Sequence, residues 1–189
     1  MKLMKSHRNG ASSRWVGTGL ALAAAALAWA GSSLVPKFTA VGTDGQTYTP
    51  ASFTQRPTLI IFLKEGCPSV PFGVDALNNL AAQLKTSVQV IGVVDADPAL
   101  LKKQAAEWKL KFPLIPDPKK VLIDSFGAKA AFDFSAIGNR RTPTWSKLWP
   151  GISPANVDEA LAQLRREGHT IPKAAFKPPQ GGKLHGCAF

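Results

Sequence analysis

The sequence predicts an α/β fold in which helices flank a central mixed β-sheet. Residues 58–63 (TLIIFL) and 88–94 (VQVIGVV) are apolar runs without polar alternation, a pattern typical of strands buried on both faces. Each run is followed by apolar residues at helical spacing, in residues 74–84 and 98–109. The order strand, helix, strand, helix predicts parallel neighbouring strands joined by right-handed crossovers.

Turn and cap signals divide the rest of the chain into short elements. Residues 43–45 (TDG) predict the turn of a β-hairpin that opens the domain. Gly127 ends a short helix, and Ser153 followed by Pro154 supplies an N-cap and a first-turn proline for the last helix. The predicted bounds are 38–41 and 46–49 for the first hairpin, 119–126 for the short helix, 132–137 and 142–149 for a second hairpin, and 154–165 for the last helix.

The charge is unevenly distributed along the 189 residues, whose formal net charge is +11. Residues 1–30 carry four basic and no acidic side chains, residues 31–164 carry fourteen and eleven, and residues 165–189 carry five and one. The central part is nearly balanced, so no nucleic-acid partner is expected. Two cysteines are too few for a disulfide-dense scaffold or a four-cysteine zinc site. No cofactor and no metal are expected.

The first 30 residues have the features of an export signal. A basic start precedes the apolar residues 15–30, which end in small residues before Gly31. This stretch is shorter than the ~20 residues that cross a bilayer. Two outcomes stay open: cleavage after Ala30, or an uncleaved anchor over residues 15–35. Both place the domain outside the cytoplasm, in the periplasm or secreted.

Length and composition favour one domain, residues 31–166, with a tail. Residues 167–189 are rich in Pro, Gly and Lys and show no periodicity, which predicts a flexible tail. Because this tail is basic, weak contact with an anionic membrane surface or an acidic partner is expected.

Cys67 follows the first buried strand, where reactive groups collect in open parallel sheets. A thiolate at a helix N-terminus is stabilised by unpaired N–H groups, which lowers its pKa. Pro68 suits the first helical turn because it has no N–H to leave unpaired. These features favour a reactive thiol over a buried cysteine that acts only as a small apolar side chain.

Three segments carry a family resemblance. Residues 37–39 (KFT), with the 44–45 turn, lead to RPTLIIFLKEGCP, and residues 88–128 contain the FPLIPDP stretch and an aromatic-Gly pair. Together they resemble thioredoxin-like redoxins over roughly residues 37–166. This group contains peroxiredoxins of the alkyl hydroperoxide reductase/thiol-specific antioxidant type and thiol-disulfide reductases. The resemblance implies a thioredoxin-like fold with an N-terminal hairpin extension and a redox-active cysteine.

The sequence departs from the family at several positions that carry chemistry. Val70 stands where thioredoxins have their second active-site cysteine, and Pro71 stands where a copper chaperone has one. Lys64 and Ile60 occupy the positions at which peroxiredoxins place a Thr or Ser and a Pro that position peroxide. The resemblance therefore favours disulfide over peroxide substrates and leaves Cys67 without a local resolving partner.

Thioredoxin folds also place a cis-proline opposite the cysteine, where an extended thiol partner binds. Thr142 and Pro143 are one candidate for this substrate-binding position, with Pro68 beside the thiol. In the alternative register, Pro143 lies on an edge strand and the equivalent position falls near residues 131–132, which contain no proline.

Cys187 leaves three possibilities open. At most ~3.5 Å per residue, the tail is long enough to reach Cys67. Cys187 can therefore be its resolving cysteine, pair between chains, or have no redox role. The leading hypothesis is an exported thiol oxidoreductase that uses Cys67 on disulfides or, second, on peroxides as an antioxidant enzyme, with an external thiol as reductant. The alternative is a non-catalytic module that binds partners.

Overall fold

The computed structural model describes residues 33–138, 143–179 and 182–189. The predicted export segment lies outside these residues. Within them, no helix is both long and apolar enough to span a bilayer.

The α/β prediction is confirmed by a six-stranded mixed sheet. All six residues of strand β4 are buried, and it pairs in parallel with β5 and antiparallel with β7. The strand order across the sheet is β1-β8-β7-β4-β5-β6, and β2 and β3 form the separate N-terminal hairpin. The bounds are β1 Ser33–Leu34, β2 Ala40–Val41, β3 Thr47–Tyr48, β4 Thr58–Leu63, β5 Gln89–Val94, β6 Leu114–Pro116, β7 Phe134–Gly138 and β8 Thr144–Trp149.

Helices cover both faces of the sheet, and their ends follow local chemistry. The Asp97 side chain accepts hydrogen bonds from the N–H groups of Ala99 and Leu100 at the start of the second helix. Ser153 caps the fourth helix in the same way, and Gly127 ends the third in a left-handed conformation. The bounds are α1 Ser69–Leu84, α2 Pro98–Trp108, α3 Val121–Phe126 and α4 Pro154–Arg166.

Two short strands, β1 and β6, were not predicted. They contain two and three residues, too few for an apolar period to be visible. Both lie at edges of the sheet, and β1 pairs with β8. Strand β8, predicted as an edge strand, therefore has a neighbour on each side.

The tail has a defined course over much of its length, in contrast to the flexible segment predicted from its composition. Ile171, Ala174 and Phe176 are buried in the same apolar cluster as α1 and α4. The Gln83 amide both donates to the carbonyl of Ala175, at 3.1 Å, and accepts from its N–H, at 2.8 Å. Composition did not reveal this packing because three apolar side chains among many polar ones form no periodic pattern.

Candidate active site

Cys67 lies where the central strand meets the first long helix. A turn from Lys64 to Cys67 links β4 to α1, closed by a hydrogen bond of 3.3 Å from the Cys67 N–H to the Lys64 carbonyl. Gly66 has a φ of 64°, a left-handed conformation that favours glycine. Pro68 is the N-cap residue of α1. The fully buried strand and the helix therefore fix this thiol, and Cys67 is 3% exposed.

The last eight residues, 182–189, form a segment that we call the C-terminal arm. Leu184 exchanges two backbone hydrogen bonds with Ile152, of 2.8 and 3.1 Å. Further along, the Ala131 N–H donates to the carbonyl of Cys187 at 2.9 Å, and the Phe189 N–H donates to the carbonyl of Lys129 at 3.0 Å. Both pairings are antiparallel. We call the receiving backbone, residues 129–131 and 151–152, the arm dock.

The docked arm brings the two cysteines together. Their Sγ atoms lie 2.6 Å apart, and both thiols are free. The Cys187 N–H also points at the Cys67 Sγ, 3.2 Å away. Next to them, the Lys64 Nζ donates to the carbonyl of Ala188 at 2.6 Å. A disulfide has sulfurs 2.03–2.05 Å apart, so the two cysteines are placed for a bond that forms when an oxidant removes two electrons and two protons.

The surroundings make the two thiols unequal as acids. Burial is the largest single influence on Cys67 and raises its pKa, but four hydrogen bonds together outweigh it and the pKa is lowered. They come from the thiol and the N–H of Cys187 and from the N–H and hydroxyl of Ser69. The pKa of Cys187 is raised, first because its thiol donates to Cys67 and then by burial. These influences favour the thiolate form of Cys67 and the protonated form of Cys187.

Two glycines allow the close approach of the arm. A Cβ on Gly186 would lie 2.4 Å from the Cβ of Ala131 and 3.1 Å from its carbonyl oxygen. Gly151 has a φ of 65°, and a Cβ there would lie 2.6 Å from the Leu184 carbonyl oxygen. Backbone contacts of this kind tolerate no side chain, so glycine at these positions is a requirement of docking.

The acidic residues nearest the cysteine turn do not reach the sulfurs through any hydrogen bond of the described residues. Asp95 accepts from the Glu65 N–H at 2.6 Å, and the Glu65 carboxylate accepts from Gln104 at 3.3 Å. This network supports the turn between β4 and α1. No group of three or more His, Cys, Asp or Glu side chains among the described residues is arranged to hold a metal ion.

The structure does not bring Pro143 to the thiol. Strand β7 runs antiparallel to β4, with Ile137 opposite Thr58 at the start of β4, and Gly138 pairs with Thr144, so Pro143 lies at the end of the sheet opposite Cys67. The Pro143 carbonyl instead accepts from the Val35 N–H of the β1 segment, at 3.1 Å. Thr142 lies outside the described residues. Residues 131–132, the alternative position named from the sequence, lie beside the Cys187 backbone.

Sequence reasoning missed the arm dock and the role of Lys64. The dock residues 129–131 and 152 act through backbone groups, so their side chains carry no pattern to detect. Gly186 next to Cys187 was the available signal, because a glycine beside a cysteine suits a close backbone approach. Lys64 was noted as a departure from the peroxiredoxin pattern, and the contact of its ammonium group with the Ala188 carbonyl of the arm was not predicted.

Solved structures with the same fold come from several kinds of redoxin. The structure matches a PrxQ cysteine-to-serine mutant from Xylella fastidiosa with a TM-score of 0.57 and 16% identity, covering 73% of this chain and 98% of that one. It matches a putative thiol:disulfide interchange protein DsbE from Chlorobium tepidum with a TM-score of 0.58 and 22% identity, covering 72% and 95%. It matches the exposed lipoprotein thioredoxin Etrx1 from Streptococcus pneumoniae with a TM-score of 0.58 and 19% identity, covering 70% and 99%.

A search of curated proteins found no match. The sequence pattern of the AhpC/TSA family matches residues 32–142, more than half of the chain and including Cys67. This match confirms the resemblance to thioredoxin-like redoxins: the chain belongs to the AhpC/TSA family.

Proposed function

We propose that this protein is a thiol-disulfide oxidoreductase in which Cys67 is the nucleophile and Cys187 is its resolving cysteine. The observation that carries the proposal is the pair of sulfurs 2.6 Å apart, with the pKa of one lowered and that of the other raised. A thiolate beside a protonated second thiol is the arrangement that thiol-disulfide exchange uses.

The reaction has two exchange steps and a reset. The Cys67 thiolate attacks one sulfur of a substrate disulfide, forms a mixed disulfide and releases the other substrate sulfur as a thiolate. Cys187 then gives its proton to the released substrate thiolate and attacks the Cys67 Sγ, which releases the second substrate thiolate and leaves a Cys67–Cys187 disulfide. Two equivalents of an external thiol, or one dithiol, reduce this disulfide, are themselves oxidised to a disulfide, and return both cysteines to thiols.

Disulfides fit the site better than peroxides do. At the two positions where peroxiredoxins position peroxide, Ile60 is fully buried in β4 and Lys64 contacts the Ala188 carbonyl. Neither side chain offers a hydroxyl group beside the sulfur. The arm dock, in contrast, already holds an extended cysteine-containing segment against Cys67.

Turnover on a small aromatic disulfide and on hydrogen peroxide, with dithiothreitol as reductant, tests this function. We expect turnover of the disulfide, a peroxide rate at the level of free thiol, and a Cys67 thiolate absorbance that titrates below the ordinary cysteine value. A Cys67 that titrates above ~8.5 with no turnover would refute the proposal and favour the non-catalytic module.

We further propose that the protein is exported. The support is the basic start and the apolar residues 15–30. N-terminal sequencing of protein from the extracytoplasmic fraction checks this. A first residue of Gly31 indicates cleavage, and a first residue at or next to Met1 indicates an uncleaved anchor. Recovery only from the cytoplasm would contradict export.

A further inference from the structure

One buried carboxylate takes no part in the thiol chemistry described above. Asp133 is 4% exposed and lies directly before β7. Its Oδ2 accepts hydrogen bonds from the N–H groups of Lys129, at 2.8 Å, and Ala130, at 3.1 Å. Its Oδ1 accepts from the N–H of Gly151, at 3.0 Å. Three backbone donors thus converge on one carboxylate.

The two oxygens contact different halves of the arm dock. Residues 129–131 receive the end of the arm around Cys187, whereas residues 151–152 receive Leu184. The two halves come from separate places in the chain, before β7 and after β8. The Asp133 carboxylate therefore bridges the two pieces of backbone on which the arm lies.

We propose that Asp133 is a positioning residue that holds both halves of the arm dock in register and thereby places Cys187 against Cys67. The proposal rests on the resolving role proposed for Cys187. It adds Asp133 as the group that keeps Cys187 within reach of Cys67. Proximity of this kind raises the effective concentration of one thiol at the other.

The chemistry of the side chain explains why a carboxylate is needed here. Asparagine has the same shape but a single acceptor oxygen, and its NH₂ group would face an N–H donor on one side. Asp133→Asn therefore retains one half of the dock and loses the other. The loop itself stays attached to β4, because the Phe132 N–H donates to Phe62 at 2.7 Å and the Phe62 N–H donates to the Asp133 carbonyl at 2.8 Å.

A glutathione equilibrium on the full chain measures the effect. Oxidised glutathione and the two protein thiols yield the Cys67–Cys187 disulfide and two molecules of reduced glutathione. We expect Asp133→Asn to lower this equilibrium constant about tenfold, the effect of losing hydrogen bonds to a charged acceptor. In the reduced protein, the same variant raises the rate at which iodoacetamide alkylates Cys187.

Asp117→Asn is the matched control. Asp117 is also buried, at 6% exposed, and accepts from the N–H groups of Val121, Leu122 and Ile123 at the start of α3. Replacing Asp117 also removes hydrogen bonds from backbone N–H groups to a buried carboxylate, but at a place away from the arm dock. We expect it to lower the melting temperature and leave the glutathione equilibrium unchanged. An equal loss in both variants would mean general destabilisation and would overturn the proposal.

A double variant separates positioning from any other role. Gly186→Ala forces the arm away from Ala131, so adding Asp133→Asn should lower the equilibrium no further. If the two substitutions lower the equilibrium constant additively, Asp133 does not act through the arm. If the unmodified protein forms no Cys67–Cys187 disulfide, the proposed function fails. The Cys187 alkylation rate then decides the present proposal: a faster rate in Asp133→Asn supports it, and an unchanged rate overturns it.

Discussion

Cys67 and Cys187 meet at one point, but different forces hold them there. Cys67 follows a strand whose six residues are all buried and precedes a 16-residue helix, so displacing it requires disruption of the core. Cys187 belongs to an arm held mainly by backbone hydrogen bonds, and within it Leu184 and Cys187 are only partly buried against the main apolar cluster. Segments with few buried apolar contacts open at low free energy.

This difference suggests a division of labour. Under the proposed function, the fixed Cys67 keeps its surroundings through the catalytic cycle, and release of the arm would let a substrate reach Cys67, which is 3% exposed when the arm is docked. Variants that alter either Cys67 or the C-terminal arm separate the two contributions.

Loss of each sulfur should have a different outcome. Cys67→Ser should lower disulfide turnover by about three orders of magnitude or more, because the nucleophile is gone. Cys187→Ser should retain the first attack and stop at the mixed disulfide. A stopped-flow burst of one released thiol per protein, followed by mass spectrometry, distinguishes the two variants. Equal behaviour would mean that the two thiols do not divide the steps.

Undocking the arm should make the Cys67–Cys187 disulfide less stable, although both sulfurs are still present. A Cβ on Gly186 meets Ala131 at 2.4 Å, so Gly186→Ala should lower the Cys67–Cys187 disulfide equilibrium about tenfold. A Cβ on Gly182 meets nothing within 4 Å, which makes Gly182→Ala the matched control. The glutathione equilibrium checks both variants, and a loss in the control would remove docking as the explanation.

The reactivity of Cys67 should depend on pH in a defined direction. Because its pKa is lowered, alkylation by iodoacetamide should reach half its maximum below the ordinary cysteine value of ~8.5. Cys187→Ser retains a hydroxyl donor, whereas Cys187→Ala removes it, so the alanine variant should shift the midpoint upward relative to the serine variant. A midpoint that is the same in both would exclude the side-chain hydrogen bond as a cause.

Titration of the Cys67 and Cys187 thiols changes the free energy of unfolding in opposite directions with pH. The lowered pKa of Cys67 gives stability that is present above the unfolded-state pKa and lost as the pH falls through the folded-state value. The raised pKa of Cys187 gives stability that is present below the unfolded-state pKa and lost as the pH rises through the folded-state value. Urea unfolding of the reduced, unmodified protein should show both losses of stability, whereas a variant that lacks either cysteine removes the hydrogen bond between the thiols and should flatten the pH dependence.

At physiological salt, the smallest expected effect concerns the basic tail. Lys173, Lys177 and Lys183 are exposed, so replacing all three with Gln should weaken sedimentation with anionic vesicles by about tenfold at ~0.01 M salt and have little effect at ~0.15 M. Lys102→Gln with Lys103→Gln on α2 is the control, since these residues lie outside the tail. Equal retention of both variants would contradict membrane contact through the tail.

The sequence revealed those parts of the molecule that apolar side chains determine. Strands β4 and β5 are apolar on both faces, so their type, their order and the position of Cys67 at the strand end could be predicted. The last helix could be predicted because Ser153 and Pro154 mark its start. The packing of the tail could not be predicted, because Ile171, Ala174 and Phe176 are scattered among polar residues.

The position of Cys187 beside Cys67 agrees with only one of the three alternatives that the sequence left open. Chain length showed that Cys187 can reach Cys67 but did not show where the arm lies. The arm dock forms through the backbone of residues 129–131 and 152, which any residue except proline can provide. Asp133 likewise binds only backbone N–H groups, so no spacing in the sequence links it to either cysteine.

Disulfide mapping of the full-length protein tests the central claim most directly. The protein is oxidised with a slight excess of oxidised glutathione at micromolar concentration, digested without reduction and analysed by mass spectrometry, with Cys187→Ser as the control. We expect an intramolecular peptide pair that joins Cys67 to Cys187. Free cysteines, glutathione on Cys67 in the unmodified protein, or a disulfide found only in dimers would contradict it.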